Sequence, residues 1–117
     1  MKPLYICYPK CSTCKKAQTW LESQGVDFEL RDIVKANPSR EELEGWIERS
    51  ELPISRFFNT SGILYREMNL KDRVKNDSHD ELLTLLATNG MIVKRPLLVT
   101  DKGVWAGFKE DKWSKLL

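Results

Sequence analysis

The chain has one histidine, His79, among 117 residues, and a single C-x-x-C near its start. A closed structural zinc site takes four ligands, commonly from two such clusters. Two cysteines and a distant histidine therefore argue against a metal centre. His79 is also too far from the cysteines in sequence to infer a Cys-His catalytic pair, and it reads as a solvated residue in the first turn of a helix. A surplus of charge is missing too: 19 Lys and Arg stand against 17 Asp and Glu, for a net charge of +2. The basic residues are scattered among acids, which excludes a stripe for a nucleic-acid backbone but leaves room for a local anion site. No apolar run is long enough to span a bilayer. The apolar part of "MKPLYICYPK" is too short for a secretory leader, and no cleavage site follows it. The expectation is a cytoplasmic protein, monomeric, with no direct nucleic-acid or membrane partner. No repeat, low-complexity tract or Gly, Ser or Pro-rich linker divides the chain, so residues 1–117 read as one domain.

What is present is a clear alternation of β and helical signals. "PLYICY" is an apolar, β-branched and aromatic run that predicts a first strand, broken over residues 9–13. From Thr13, Cys14, Ala17 and Leu21 recur on one helical face, and Gly25 stands where a helix ends. "VDFELRDI" predicts the second strand. In "NPSREELEGWIERS", Ser39 and Glu42 make a capping box, with Leu43, Trp46 and Ile47 on one face. "LYREMNLKDRVKN" predicts one short helix after Ser61-Gly62. "SHDELLTLLATNG" predicts another, capped by Ser78 and Glu81 and closed by Gly90. "RPLLVTDKGVWAGF" reads as a β-hairpin turning at Asp101-Lys102-Gly103, and "KEDKWSKLL" as a final helix with Trp113 turned inward. The fold class is α/β, a mixed four-stranded sheet flanked by helices, with a helical insert over about 38–90 before the C-terminal hairpin.

The chemistry sits in "CYPKCSTCKK". Three cysteines in a reducing compartment do not suggest a disulfide framework. A C-x-x-C between a strand and a helix places Cys11 just ahead of the helix. There, unpaired N–H groups and the positive end of the helix dipole favour a thiolate, with Lys10, Lys15 and Lys16 nearby. Cys11 is the candidate nucleophile. Cys14, one turn into the helix on its apolar face, is the candidate resolving thiol, and Cys7 in the strand reads as a small buried hydrophobe. Arg95, ahead of Pro96 in "KRPLLVT", offers a planar set of donors for an anion. The aromatics Trp46, Phe57, Phe58, Trp105 and Trp113 read as packing residues. The Asn59–Gly62 stretch reads equally as a turn between helices or as a polar wall of a cleft.

The strand with "CSTCKKA", the segments "FNTSGILYREMNLKDRV" and "NGMIVKRPLLV", and "GVWAGFKEDKW" together resemble the arsenate-reductase-like (ArsC) and Spx family over nearly the full length. The resemblance implies a thioredoxin-like fold, in which the proline opening the third strand is cis and faces the cysteines. Pro96 takes that place. In glutaredoxin-linked arsenate reductases one cysteine attacks arsenate and three arginines hold the oxyanion. Cys11 and Arg95 match the cysteine and one arginine. Asn59 stands where the second arginine is expected and Phe108 or a neighbour where the third is, which leaves Arg66 and Lys109 as the nearby cations to consider. Spx-type regulators use a C-x-x-C as a disulfide switch and bind the RNA polymerase α subunit.

The expected function is a thiol–disulfide oxidoreductase acting on an oxidised thiol or an oxyanion such as arsenate, with Cys11, Cys14 and Arg95 catalytic. Lys10, Ser12, Thr13, Asn59 and Pro96 are expected to contact substrate. No bound cofactor is expected, and glutathione, another small thiol, or a thioredoxin or glutaredoxin would supply electrons. The alternatives are a redox-sensing regulator docking on RNA polymerase, and a thiol-binding domain without turnover.

Overall fold

The apolar run near the N-terminus forms β1 (Leu4–Cys7), a central strand of the sheet. The structure is a computed structural model and describes residues 2–117. Along β1, Tyr5 and Cys7 join one apolar cluster and Ile6 the other, the two-residue alternation of a strand, and all three are buried. Both faces of the sheet are therefore covered. A turn in which the Cys11 N–H donates to the Tyr8 carbonyl (2.9 Å) leads into α1 (Ser12–Ser23), which buries Cys14, Ala17 and Leu21. Gly25, at φ +69°, takes the chain out of the helix in a conformation open to glycine.

β2 (Glu29–Asp32) pairs in parallel with β1, Leu4 opposite Glu29 and Cys7 opposite Asp32. It is shorter than the eight residues the sequence pattern suggests. Asp32 ends it by accepting the N–H groups of Val34 (2.8 Å) and Lys35 (3.0 Å) on its carboxylate, which turns the backbone away. The capping box of Ser39 and Glu42 then opens α2 (Arg40–Ser50), whose Leu43, Trp46 and Ile47 are buried. A 3₁₀ turn (Ile54–Phe57) follows.

Two elements differ from the sequence expectation. The single helix predicted over 64–76 is two, α3 (Ile63–Glu67) and α4 (Leu70–Asn76), separated where Asn69 adopts the left-handed region at φ +53°. Asparagine tolerates that region better than most residues. The second concerns Gly90. α5 (His79–Leu86) starts on the Ser78–Glu81 capping box but ends at Ala87 in a right-handed conformation, so Gly90 does not close it. Gly90 instead begins a 3₁₀ turn (Gly90–Ile92), where a Cβ would stand 1.8 Å from the Ile33 carbonyl oxygen. It is required by close backbone approach, not by the helix end.

β3 (Leu97–Thr100) and β4 (Gly103–Ala106) form the hairpin, with Leu97 opposite Ala106. β3 pairs antiparallel with β1, which gives the order β2-β1-β3-β4. α6 (Glu110–Leu116) closes the chain. This mixed sheet with helices on both faces is the thioredoxin-like architecture. One face packs α1 and α6 through Tyr5, Leu21, Leu98 and Trp113; the other packs α2 and α5 through Ile6, Leu43, Leu86 and Val99. Trp113 anchors α6: it is fully buried, donates its indole N–H to the Gly107 carbonyl (2.9 Å) and meets Phe108 edge-on at 5.0 Å. Truncating it to alanine removes a large ring from a closed site, at a cost of about 3–5 kcal/mol. Among the described residues no helix is long and apolar enough to cross a membrane.

Candidate active site

Cys11 and Cys14 lie at the junction of β1 and α1, both as free thiols, and they face very different surroundings. Cys11 is the N-cap residue of α1 and is partly exposed. Its sulfur makes no closed capping hydrogen bond. Burial works against its ionisation, but the Cys14 N–H and thiol, the Thr13 N–H and the Arg95 guanidinium outweigh it and hold the Cys11 pKa below the ordinary thiol value. The two backbone N–H groups are the free donors that every helix start presents. Cys14 is buried on the apolar face of α1, and that burial, with the neighbouring Cys11 and Cys7 sulfurs, pushes its pKa up to about 12. One interaction opposes the rise: the Tyr8 N–H donates to the Cys14 sulfur at 3.3 Å. The Tyr5 hydroxyl donates to the Cys14 carbonyl and fixes the first turn of α1 to the strand beneath it. Cys7, 3% exposed, is a core residue whose own pKa is raised by burial.

The opposite wall is built by a short zipper between the two 3₁₀ turns. Phe58 and Val93 form an isolated antiparallel bridge, the Asn59 N–H donates to the Ile92 carbonyl (2.8 Å), and the Lys94 N–H donates to the Phe57 carbonyl (2.7 Å). This pairing delivers Asn59, Lys94 and Arg95 to one place although more than thirty residues separate them. The Arg95–Pro96 peptide bond is cis. The Arg95 guanidinium lies 5.0 Å from the Tyr8 ring centroid and donates to the Met91 carbonyl (3.2 Å), and it is among the groups that lower the Cys11 pKa. Two contacts thus hold one cation in the cleft that the exposed thiol shares.

Cys11 opens onto a cleft of about 570 Å³. Thr13, Asn59 and Arg95 line it, as does Lys109. Lys10 and Ser12 are exposed and lie outside its lining, and Arg66 is exposed on α3, also outside it. Pro96 is buried behind the wall, where its carbonyl accepts the Gly107 N–H (2.8 Å). Asn59 is 8% exposed, accepts the Ser61 hydroxyl at 3.3 Å and packs against Gly62, where a Cβ would stand 2.7 Å from its amide nitrogen. Asn59, Ser61 and Gly62 make the stretch a wall of the cleft, which also contains Arg56 and Lys94, two residues without a sequence signal, and Trp105. Trp105, read from sequence as packing alone, is half-buried, with Arg56 5.9 Å and Lys112 5.3 Å from its ring. Position along the chain gave no sign of Arg56 or Lys94, because both lie in turns without periodic pattern. Among the described residues no cluster of three or more His, Cys, Asp or Glu could hold a metal ion.

The model of the ArsC family matches residues 6–116. The chain belongs to the ArsC family. Within it, the chain resembles a crystal structure of an ArsC family related protein from Bacteroides fragilis, at 48% identity and TM-score 0.97, covering 100% of this chain and 98% of the other. An arsenate reductase from Vibrio cholerae superposes with TM-score 0.88 at 25% identity, covering 100% and 98% of the two chains. The global transcriptional regulator Spx of Streptococcus pyogenes serotype M1 is 29% identical over 104 residues, 89% of this chain and 76% of Spx. ArsC family relatives thus include both a reductase and a regulator.

Proposed function

We propose that this ArsC family chain is a thiol–disulfide oxidoreductase that reduces an oxidised thiol, or an oxyanion such as arsenate, through Cys11 and Cys14. The observation that carries this reading is the split between two thiols one helical turn apart: Cys11 partly exposed on the cleft with its pKa lowered, Cys14 buried beneath it with its pKa raised to about 12. Such a pair separates attack from resolution.

The Cys11 thiolate attacks one sulfur of a substrate disulfide. A Cys11–substrate S–S bond forms, the substrate S–S bond breaks and the other half leaves as a thiolate. That step removes the negative charge on Cys11, which is one of the influences holding the Cys14 pKa up. Cys14 then loses its proton to solvent or the departing thiolate, steadied by the Tyr8 N–H. It attacks the Cys11 sulfur and closes the Cys11–Cys14 disulfide, releasing the second substrate half. Two electrons have passed from the pair to the substrate. With arsenate, Cys11 displaces hydroxide to form an S–As bond, and attack by Cys14 on the Cys11 sulfur breaks that bond and releases arsenite. Glutathione, another small thiol, or a thioredoxin or glutaredoxin restores the dithiol.

Arg95 is the cation placed to steady the attacking sulfur and an anionic group beside it. Turnover of a disulfide and of arsenate, with glutathione as donor, tests the reading. Cys11→Ser abolishes both, whereas Cys14→Ser, mixed with the disulfide in the absence of glutathione, completes one attack and accumulates a mixed disulfide on Cys11, visible by intact mass. Equal rates for wild type and Cys11→Ser overturn it.

The likeness to Spx supports a second reading, in which the same disulfide is a switch and the partner is the RNA polymerase α subunit. That reading expects α subunit to co-purify with the chain in an oxidant-dependent way and no catalytic turnover.

A further inference from the structure

The cleft beside Cys11 carries a charge pattern that the overall composition hides. Arg56, Lys94, Arg95 and Lys109 line it, and no aspartate or glutamate does, although the whole chain is nearly balanced at a net +2. Arg95 donates to the Met91 carbonyl and stacks on Tyr8. The other three have no polar partner: among the described residues, no ion pair and no side-chain hydrogen bond involves Arg56, Lys94 or Lys109. Arg56 is held only by its stacking on Trp105. The Lys94 stem lies over Gly107, where a Cβ would come within 3.3 Å of its Cε. Three such cations around a concave surface cost repulsion unless an anion enters. The volume adds a second constraint. At about 570 Å³ the cleft falls within the range of sites for small organic ligands, well beyond what a bare tetrahedral oxyanion fills.

We propose that the cleft selects a small organic disulfide bearing two or more anionic groups, which Arg56, Lys94 and Lys109 hold while Cys11 attacks its sulfur. The inference rests on the oxidoreductase reading above and names the substrate class for it. Carboxylate and phosphate are equally served by these side chains. The chemistry is the exchange already written: one half of the anionic disulfide leaves as a thiolate on attack by Cys11, and the second leaves when Cys14 closes the pair.

The test compares three disulfides of similar size and different charge on the full chain: dithiodipropionate, bis(hydroxyethyl) disulfide and cystamine. Each rate is divided by that of free mercaptoethanol with the same disulfide, which removes intrinsic reactivity. The expected result is a preference of about tenfold for the dianion over the neutral compound, reversed for the dication, and shrinking as salt rises. An R56Q/K94Q/K109Q variant brings the ratio of dianion to neutral compound towards one. Replacing dithiodipropionate by a phosphate-bearing disulfide of similar size, the bisphosphate ester of bis(hydroxyethyl) disulfide, shows which anion is preferred: a rate above the neutral compound for either supports the proposal. Equal normalised rates across the three charges, with Cys11 still reacting, overturn the charge selection and leave the oxidoreductase reading standing. Failure of Cys11 to react with any of them overturns both.

Discussion

The Tyr8 N–H donates to the Cys14 sulfur at 3.3 Å, in the same turn in which the Tyr8 carbonyl accepts the Cys11 N–H at 2.9 Å. One residue of the loop therefore holds both ends of the C-x-x-C. The outer thiol is left to the helix start and Arg95, while the inner one keeps a single backbone donor in an apolar setting.

The two thiols should separate cleanly in alkylation. Cys11 is modified by iodoacetamide with a midpoint below the ordinary thiol value, whereas Cys14 stays protected well above it, consistent with a pKa near 12. The stability of the reduced protein follows. Between the ordinary thiol value of 9.0 and about 12, the unfolded chain has released the Cys14 proton and the folded one retains it. The unfolded state then binds fewer protons, so stability falls as pH rises through that window. Thermal melts of Cys14→Ala, which lacks the group, should show a shallower decline.

Arg95→Ala should raise the Cys11 midpoint and slow attack at neutral pH, because it removes a cation that favours the Cys11 thiolate. Arg95→Lys should restore part of the shift but not the stacking on Tyr8. Peptide-resolved alkylation rates across pH check both; an unchanged midpoint in Arg95→Ala contradicts the role.

Acid should loosen the insert at a specific pair. Arg31 grips Glu42 with two hydrogen bonds, 2.6 and 2.8 Å, and holds its carboxyl down at about 2. A depressed carboxyl contributes stability above its unfolded value of 4.5, and that contribution is lost as pH falls towards 2. Glu42→Gln should lower the melting temperature at neutral pH and flatten its decline over that acid window. Both side chains are partly exposed, so the effect is modest.

Much of the fold was legible because its signals are local. Both capping boxes, Ser39 with Glu42 and Ser78 with Glu81, lie within four residues and form as read. The faces Cys14, Ala17 and Leu21, and Leu43, Trp46 and Ile47, are the buried faces of their helices. What failed was non-local or a matter of a single dihedral. Gly90 looked like a helix end, yet its requirement comes from Ile33, more than fifty residues away. The break at Asn69 turns on one left-handed residue inside a sequence of good helix formers. The cleft was legible on its Cys11 and Arg95 sides, where motif and resemblance agree, and hidden on the Arg56, Lys94 and Trp105 side. Arg56 and Lys94 converge through the Phe58–Val93 bridge, which no periodicity announces, and Trp105 meets them from β4.

The close approach at Gly90 gives a sharp stability test. Gly90→Ala places a methyl group against the Ile33 carbonyl, and backbone on both sides must move. The expected loss is about 3 kcal/mol, read from denaturant unfolding. Gly45→Ala, on the α2 helix with open space at its Cβ, is the control and should be neutral or stabilising.

The central claim is that Cys11 and Cys14 form a working redox pair, and its most direct test is equilibration of the protein in a series of defined glutathione buffers. Thiols are then trapped by alkylation and mapped by mass spectrometry. One reversible two-electron transition assigned to a Cys11–Cys14 disulfide is expected, with Cys7 reduced throughout and the transition absent in Cys14→Ser. A pair that stays reduced in every buffer, or a disulfide that engages Cys7 instead, contradicts it.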